Sequence, residues 1–439
     1  MVTQLIAVER PTTAPRATLR VPGSKSLTCR AIVLGALADA PVELHGALHA
    51  DDTITLLQAV HGMGVDTRVE AGVMHLAGGG PPQPHTHGLD RLDMGMGGAP
   101  ARFTLALAAL ADAPIVIDGG ARLRQRPMHD AVALLGSLGV AVEPIGEGPG
   151  LPLRVTPAPW ATHTIDIADT ATSQVVSSLL LVAANAGGLD MHFTQPPTSA
   201  AYIELTIDTL GKWGIDVDVQ RADGVLQRIN VRRGTPSGGV HTIAADASSA
   251  ATAACMACAL PGAHVTLHNV DPDDAQPDAA ALTLLQRAGA SLRADEQGLH
   301  IDAPDHLQFP VTVDASAMPD AVPVLAALAA TQGTGPVRFT GLDTLRVKEC
   351  DRIEGTRHLL HALGGEPTIE GDDLLVSPLP AFGDDIITLP SMDDHRMAMA
   401  GALLGLWRGH VRIDDADVVT KSWPTFWNDL APLGGWARA

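Results

Sequence analysis

Aromatic side chains are scarce in this 439-residue sequence, in which Phe, Trp and Tyr together make up 3% of the residues. Aliphatic residues must therefore fill any core, and a hydrophobic content of 46% supplies enough of them. The four cysteines are too few for a disulfide framework in a chain of this length. No apolar run reaches membrane-spanning length, and the first residues lack the pattern of a signal peptide. We therefore expect a cytoplasmic protein with aliphatic cores.

Basic residues are also in short supply, and the formal net charge is −20. This charge argues against a protein that binds nucleic acid or an anionic membrane, because both need a basic surface. A small anionic ligand remains compatible if cations are concentrated locally. Lysine is the rarest cation, since of 29 basic residues only four are Lys: Lys25, Lys212, Lys348 and Lys421. We expect these few lysines to lie where a compact, titratable ammonium is needed.

One structural unit repeats along the chain. A leucine-rich segment ending in glycine recurs, and the spacing between successive glycines is 75 residues up to the fifth and 70 to the last: Gly64, Gly139, Gly214, Gly289, Gly364 and Gly434. Glycine after a helix is the expected C-terminal cap. A helix of small residues and a short apolar strand precede each capped helix, and a hairpin follows it in five units. This alternation predicts an α/β fold with parallel pairing inside each unit.

The six units are expected to form two similar domains of three units each. The first strands precede the first unit and no hairpin follows the sixth, so a terminal strand can pair with the last units. We therefore predict a discontinuous domain, 1–21 with 242–439, and a continuous domain, 22–241. Lys25 would then follow a crossover directly, at the mouth of a cleft between the domains.

Polar residues are concentrated where the first helix of each unit begins. Such clusters precede or open five of these helices: Lys25-Ser26, Thr172-Ser173-Gln174, Asp246 to Ser249, Asp320, and Asp394-His395-Arg396. The second unit has instead a glycine-rich turn, 95–100, leading to Arg102. Helix N-termini attract anions, although Ser, Thr and Asp at these positions also serve simply as caps.

Three basic segments begin the second helices of their units, at 122–127, 345–352 and 420–424. The first reads as a loop with three guanidinium groups that could bind carboxylate or phosphate. In the second, Lys348 and Arg352 are four apart and are predicted to share a helix face, which would favour the charged form of Glu349. Each segment could be a solvated surface, but together they predict one anion site. Nothing specifies a metal or an organic cofactor, so we expect none.

These segments together resemble the 5-enolpyruvylshikimate-3-phosphate synthase family over essentially the whole chain. The motifs that carry the resemblance are Gly23-Ser24-Lys25-Ser26 with Arg30, Arg126-Pro127, Thr172-Ser173-Gln174, Asp246 to Ala250, Pro319-Asp320-Ala321, Arg346 to Arg352, Asp394 to Met399, and Lys421 before Trp423-Pro424. The resemblance implies an inside-out α/β barrel type of fold, in two domains of three repeated units, with the active site in the interdomain cleft.

The resemblance also implies the reaction and the residues that serve it. The enolpyruvyl group of phosphoenolpyruvate would pass to the 5-hydroxyl of shikimate 3-phosphate, with release of phosphate. Asp320, Glu349 and Lys25 would be catalytic. The residues implied for phosphoenolpyruvate are Lys25, Gly98, Arg126, Gln174, Arg352, Arg396 and Lys421. Those implied for shikimate 3-phosphate are Lys25, Ser26, Arg30, Thr172, Ser173, Gln174, Ser199, Tyr202, Asp320 and Lys348. We expect a monomer with no partner beyond these small molecules.

One motif departs from the family pattern, and two alternatives remain open. The glycine-rich turn is commonly Gly-Asn-Ala-Gly-Thr, whereas residues 95–99 here read Gly-Met-Gly-Gly-Ala, without the amide and the hydroxyl. A catalytically weak paralogue would explain the change, but the retention of Asp320, Glu349 and Lys421 argues against it. The related UDP-N-acetylglucosamine enolpyruvyl transferases typically carry a cysteine near the position of Arg122–Arg126, and this chain has none there.

Overall fold

The computed structural model describes residues 5–81, 90–146, 148–168, 170–272, 274–381 and 383–438. The chain divides into two compact units. The discontinuous unit comprises Met1–Pro22 with Ala245–Ala439, and the continuous unit is Gly23–Ala244. The unit boundaries therefore fall at 22/23 and 244/245, beside the 21/22 and 241/242 expected from the sequence.

The chain begins with two strands of the discontinuous unit, β1 (Ile6–Glu9) and β2 (Arg16–Leu19). The continuous unit then alternates helices and strands in this order: α1 (Lys25–Leu37), β3 (Val42–His45), α2 (Asp51–Gly62), β4 (Thr67–Glu70), β5 (Val73–Leu76), β6 (Arg91–Asp93), α3 (Gly98–Ala108), β7 (Ile115–Asp118), α4 (Ala121–Gln125), α5 (His129–Ser137), β8 (Ala141–Pro144), β9 (Leu153–Thr156), β10 (Thr164–Ile167), α6 (Ser173–Ala183), β11 (Leu189–Phe193), α7 (Ala200–Lys212), β12 (Val217–Ala222), β13 (Val225–Val231) and β14 (Gly239–Thr242).

The remainder of the discontinuous unit follows the same alternation: α8 (Ala247–Cys258), β15 (His264–Leu267), α9 (Ala280–Arg287), β16 (Ser291–Asp295), β17 (Gly298–Asp302), β18 (Thr312–Asp314), α10 (Val322–Gln332), β19 (Val337–Thr340), α11 (Arg352–Ala362), β20 (Thr368–Glu370), β21 (Asp373–Val376), β22 (Ile387–Leu389), α12 (His395–Arg408), β23 (Val411–Ile413), α13 (Phe426–Asp429) and β24 (Gly435–Arg438). Short 3-10 helices stand at Pro277–Ala279, Pro319–Ala321, Asp343–Val347, Ala416–Lys421 and Ala431–Leu433.

The described strands form six four-stranded sheets with one pairing pattern, three in each unit. In each sheet the first two strands pair in parallel and the next two pairings are antiparallel, as in β6-β7-β9-β8. Where the two parallel strands follow each other in the chain, the first helix of the repeat connects them. The other two strands of the sheet form the predicted hairpin. The repeat that the glycine spacing predicts is therefore confirmed at the level of whole sheets.

Three of these sheets are completed by strands that are distant in sequence. Strand β14 pairs in parallel with β3, and β2 pairs in parallel with β15. Strand β1 lies between β23 and β24 and is antiparallel to both. In the other five repeats this position is taken by the second strand of a hairpin. Ile6 and Val8 of β1 are buried in the core of the discontinuous unit. The predicted pairing of a terminal strand with the last units is thus confirmed.

The first helix of each repeat lies in the core of the compact unit to which the repeat belongs. All twelve residues of α8 are buried, and the small residues Ala, Ser and Cys let neighbouring helices approach closely. Cys255 and Cys258 lie inside this helix, and burial raises the pKa of both thiols. Their spacing therefore reflects core packing, and a helix of small residues that is buried on every side belongs in a protein interior. Of the helices in the described residues, none is both long enough and apolar enough to cross a membrane.

The repeated glycines end their helices in a left-handed conformation at five of the six positions. Gly64, Gly139, Gly214, Gly289 and Gly364 have φ angles of 94°, 90°, 78°, 110° and 82°. The sixth prediction is wrong, because Gly434 has φ −175° and continues directly into β24. The last repeat has only the four-residue α13 and a 3-10 turn here, so no long helix needs a cap.

Gly214→Ala should lower the midpoint of thermal unfolding. Its φ of 78° is left-handed, and an L-residue there costs roughly 1–2 kcal/mol. For a unit of this size a loss of 1 kcal/mol corresponds to about 2–4 °C. The matched control is Gly211→Ala in the last turn of α7, where a methyl group has open space and alanine favours the helix. A midpoint for Gly214→Ala at or above that of Gly211→Ala would contradict the prediction.

Candidate active site

The predicted site residues fall into two groups, one in each unit. In the continuous unit, Ser24 caps α1, and its Oγ accepts a hydrogen bond from the Leu27 amide at 3.2 Å. Lys25 is the first residue of the helix, and its Nζ lies 3.3 Å from Oδ2 of the buried Asp52. Gly23 is required before the cap, because a Cβ there would lie 1.8 Å from the Gly46 carbonyl oxygen. The backbone and one carboxylate thus hold Lys25 at a helix N-terminus.

Arg30 connects three helices of the continuous unit. Its side chain is buried and donates hydrogen bonds to the carbonyl oxygens of Ser26 and Tyr202, each at 2.9 Å. It also donates to the hydroxyls of Thr206 at 2.9 Å and Ser177 at 3.4 Å. Burial lowers the pKa of Arg30 to about 10, which leaves it protonated at neutral pH. The predicted residues Ser26, Arg30 and Tyr202 are therefore brought together by one guanidinium.

The glycine-rich turn packs against the guanidinium of Arg126. The predicted turn becomes helical at Gly98, the first residue of α3. A Cβ on Gly98 would lie 2.3 Å from Arg126 Nη1, so any other residue here would displace the guanidinium from its present place. Arg126 is 8% exposed, and its buried Nε has no hydrogen-bond partner among the described residues. A buried guanidinium with donors to spare is suited to an anionic ligand.

Gln174 is joined to the same turn through Arg102. The Nη1 of Arg102 donates to the Gly98 carbonyl at 3.1 Å and to Gln174 Oε1 at 3.0 Å. Gln174 lies in the first turn of α6, where Thr172 is the cap and accepts from the Gln174 amide at 3.3 Å. The predicted residues Gly98, Arg126 and Gln174 are thus in one neighbourhood, and Ser173 is buried at the start of the same helix.

Ser199 stands immediately before α7, three residues ahead of Tyr202. It has φ 50°, a left-handed conformation that is strained for a residue other than glycine. Its carbonyl accepts a hydrogen bond from the Tyr202 amide at 3.0 Å. The start of α7 is therefore fixed by backbone geometry.

The basic segment 122–127 differs from the sequence-based interpretation, because it contains the short helix α4. Arg124 is committed to Asp118, with two hydrogen bonds of 2.8 and 2.7 Å, and Arg91 contacts the same carboxylate. Burial acts to raise the pKa of Asp118, but hydrogen bonds from Arg124, the Gly119 amide and Arg91 outweigh it and bring the pKa to about 2. Of the three arginines in this segment, Arg126 is the one beside Gly98.

In the discontinuous unit, Arg352 is the centre of a buried charge cluster. Its side chain is 1% exposed and donates hydrogen bonds to three carboxylates. The shortest contacts are 2.8 Å to Asp320 Oδ1, 2.9 Å to Glu349 Oε2 and 2.8 Å to Asp394 Oδ2. The two predicted acid–base residues, Asp320 and Glu349, are therefore held on one guanidinium. Desolvation acts against the charge of Arg352, but the three carboxylates outweigh it and raise its pKa.

The other predicted cations surround the same two carboxylates. Lys348 Nζ donates to Asp320 Oδ1 at 3.1 Å, and Lys421 Nζ donates to Glu349 Oε1. Arg396 Nη2 lies 3.7 Å from Asp320 Oδ2. Nε and Nη1 of Arg396 are buried without a hydrogen-bond partner in the part of the chain that the structure describes. Like Arg126 in the other unit, Arg396 therefore keeps donors for an anion.

Lys348 and Arg352 do not share a helix face, contrary to the prediction. Asp351 is the N-cap of α11, and its Oδ1 accepts from the amides of Ile353 and Glu354. The helix consequently begins at Arg352, and Lys348 follows the 3-10 helix 343–347. Lys348 still reaches the cluster, but through Asp320 and from a non-helical segment.

Three carboxylates contribute to these groups without having been predicted as site residues. They are Asp52, Asp278 and Asp394. Asp394 caps α12, and because an aspartate before a helix reads simply as a cap, its second role on Arg352 is invisible in the sequence. The left-handed residues Met392 and Asp393 precede it, a strained turn directly before functional side chains.

Asp278 is buried beside the cluster and is bonded to the Ser248 hydroxyl. Burial raises the pKa of Asp278 to about 6, and the charge of Asp320 acts in the same direction. A carboxyl group with this pKa can hold or release a proton near neutral pH.

The chain was compared with known proteins. The family model described as EPSP synthase (3-phosphoshikimate 1-carboxyvinyltransferase) matches residues 10–430. A 3-phosphoshikimate 1-carboxyvinyltransferase from Syntrophobacter fumaroxidans is 36% identical over 425 residues, covering 96% of this chain and 98% of the relative. One from Mycobacterium ulcerans is 33% identical over 431 residues, covering 95% and 96%. The structure of an EPSP synthase from Acinetobacter baumannii aligns with a TM-score of 0.78 at 25% identity, over 99% of this chain and 100% of that one.

Asp394→Ala should lower the free energy of unfolding by roughly 3 kcal/mol, because the buried Arg352 Nε loses its acceptor and α12 loses its N-cap. The control is Asp351→Ala, which also removes an N-cap but breaks only a partly exposed ion pair with Arg346, and should cost about 1 kcal/mol. Urea titrations of both variants measure the difference. Equal losses would show that the buried pair adds nothing beyond the cap.

The pH dependence of stability should differ between the wild type and Asp278→Asn. The folded protein holds the Asp278 proton up to about pH 6, whereas the ordinary pKa is 3.8. The resulting stabilisation is fully present below the ordinary pKa and is lost as the pH rises through about 6. We therefore expect the wild-type free energy of unfolding, minus that of the variant, to fall between about pH 4 and pH 7. A constant difference over this range would contradict the raised pKa.

Proposed function

The chain belongs to the EPSP synthase family, and we propose that its two residue groups carry out the reaction of that family. The protein is a transferase that moves the enolpyruvyl group of phosphoenolpyruvate to the 5-hydroxyl of shikimate 3-phosphate and releases phosphate. This is a step of the shikimate pathway to the aromatic amino acids. The relatives described above give no support to a UDP-N-acetylglucosamine enolpyruvyl transferase or to a catalytically weak paralogue.

One observation carries the assignment of the chemistry: two carboxylates, Asp320 and Glu349, share the buried Arg352 and each also contacts a lysine. The addition step needs a base for the 5-hydroxyl proton and an acid that protonates the methylene carbon. The elimination step then removes a proton from the new methyl group as the phosphate leaves. We propose Asp320 and Glu349 for these transfers, with Lys25 as a third catalytic group.

The contacts of Glu349 suit proton transfer. Its Oε1 accepts from Lys421, and its Oε2 accepts from Arg352. Arg352 stays protonated in any accessible pH range, so the proton that Glu349 can exchange is that of the lysine. Hydrogen bonds from cations favour the charged form of a carboxylate, which is the form that accepts a proton.

We propose that phosphoenolpyruvate, which carries a phosphate and a carboxylate, is bound first by the two arginines of the set that have buried donors without a partner among the described residues. Arg126 in the continuous unit and Arg396 in the discontinuous unit meet this condition. The proposed set is Lys25, Gly98, Arg126, Gln174, Arg352, Arg396 and Lys421. Gly98 belongs to it because the absence of a Cβ lets the Arg126 guanidinium lie against the backbone.

We propose that shikimate 3-phosphate is bound mainly by the starts of α1, α6 and α7. These helix ends combine hydroxyl groups with the partial positive charge of a helix N-terminus, which suits an anionic polyol. The proposed set is Lys25, Ser26, Arg30, Thr172, Ser173, Gln174, Ser199, Tyr202, Asp320 and Lys348. We also propose that the enzyme works as a cytoplasmic monomer, in line with the composition of the chain.

The direct experiment measures phosphate release from phosphoenolpyruvate with and without shikimate 3-phosphate. We expect release only when both are present, because the phosphate leaves after the acceptor has added. No release with both substrates would reject the proposed function, and release with UDP-N-acetylglucosamine in place of shikimate 3-phosphate would point to the alternative enzyme.

Glu349→Gln should lower kcat by about 10²–10⁴-fold, the range expected for the loss of a general acid or base. The dissociation constant for shikimate 3-phosphate, measured by calorimetry, should stay close to the wild-type value, because Glu349 is outside the proposed set for that substrate. The control is Glu354→Gln, the same change at an exposed position whose side chain forms an ion pair with Arg357. Wild-type turnover in Glu349→Gln would remove this residue from the mechanism.

A further inference from the structure

Two buried hydroxyl groups accept hydrogen bonds from Arg30 and have no part in the proposed sets of ligands. Ser177 belongs to α6 and Thr206 to α7, and both side chains are fully buried. Thr206 Oγ1 lies 2.9 Å from Ser177 Oγ and 2.9 Å from the Tyr202 carbonyl oxygen. The Arg30 guanidinium bonds to all three of these oxygens. The hydroxyls are therefore part of one network with the cation.

The direction of the hydrogen bonds follows from the number of protons. Arg30 has only donors, so Thr206 and Ser177 must accept from it. Each hydroxyl then has one proton to donate. Thr206 donates its proton to Ser177 Oγ or to the Tyr202 carbonyl, and Ser177 can donate to the same carbonyl at 3.4 Å. Both hydroxyl protons therefore have acceptors inside the network, which fixes both Arg30 and the backbone of Tyr202.

The acceptors of Arg30 are all neutral. In the parts of the chain that the structure describes, no carboxylate oxygen forms an ion pair with this guanidinium, whereas Arg352 in the other unit has three such partners. A hydroxyl holds a guanidinium in position without cancelling its charge. A carboxylate in the same place would hold it and also neutralise it.

We propose that Thr206 and Ser177 are positioning residues for shikimate 3-phosphate: they hold Arg30 in place while leaving its positive charge available to the anionic substrate. The inference rests on the proposed function, because it assumes that Ser26 and Tyr202, which Arg30 links through their carbonyls, line the place where this substrate binds. The two hydroxyls act through Arg30 and do not touch the substrate.

The test is Thr206→Val, which keeps the shape of the side chain and removes the acceptor for Arg30 Nε. We expect KM for shikimate 3-phosphate to rise about tenfold, the effect of losing one hydrogen bond to a charged group. KM for phosphoenolpyruvate and kcat should change by less than about twofold, since the catalytic carboxylates lie in the other unit. Thr206→Ser restores a hydroxyl and should restore the wild-type KM.

The matched control is Thr209→Val on the same helix, where the buried hydroxyl donates to the Leu205 carbonyl at 2.7 Å. It should leave both KM values unchanged. An unchanged KM for shikimate 3-phosphate in Thr206→Val, an equal rise in Thr209→Val, or an equal rise for both substrates would overturn the inference. If Thr206→Val does not fold, Ser177→Ala provides the same comparison and should raise the same KM. Wild-type protein that releases no phosphate with both substrates would instead reject the proposed function.

Discussion

A buried guanidinium must find enough acceptors for its N–H groups, and the two units of this protein meet that constraint in opposite ways. Arg352 is surrounded by Asp320, Glu349 and Asp394, so its charge is more than balanced. Among the described residues, Arg30 bonds to carbonyl and hydroxyl oxygens and forms no ion pair with a carboxylate, so its charge is kept. In the proposed mechanism the first arrangement orders carboxylates for proton transfer, and the second preserves an electrostatic field for an anion. One side-chain type would then serve chemistry in one unit and recognition in the other.

Much of the fold could be predicted from the spacing of glycine and leucine. Five glycines at intervals of 75 residues mark the ends of five helices, because the left-handed backbone conformation costs little free energy only for glycine. The rule fails at Gly434. In the last repeat, β1 stands where the other repeats have the second strand of a hairpin. A periodic pattern shows that the chain repeats, but it does not show which copy of the repeat is completed by a strand from a distant part of the chain.

The candidate site was predictable where a residue type has one common use, and less so where it has two. Lysines are so rare here that three of the four stand in the proposed site, whereas Lys212 forms a surface pair with Asp208. Aspartates were harder, because Asp351 and Asp394 both cap helices and only Asp394 also binds the buried Arg352. The same ambiguity explains the error at Lys348. The spacing of Lys348 from Arg352 suggested that both lie on one helix. Asp351 between them is the N-cap, so the helix begins only at Arg352.

The exchange of strands between distant parts of the chain has a consequence during synthesis on the ribosome. The continuous unit has all its strands once residue 242 has emerged, because β14 is the last that its sheets require. Strand β1 emerges first, yet its partners β23 and β24 are made only at 411–438. Strand β1 must therefore wait for β23 and β24, with an entire folded unit between them in the sequence. The order of translation and the order of assembly are reversed for this strand.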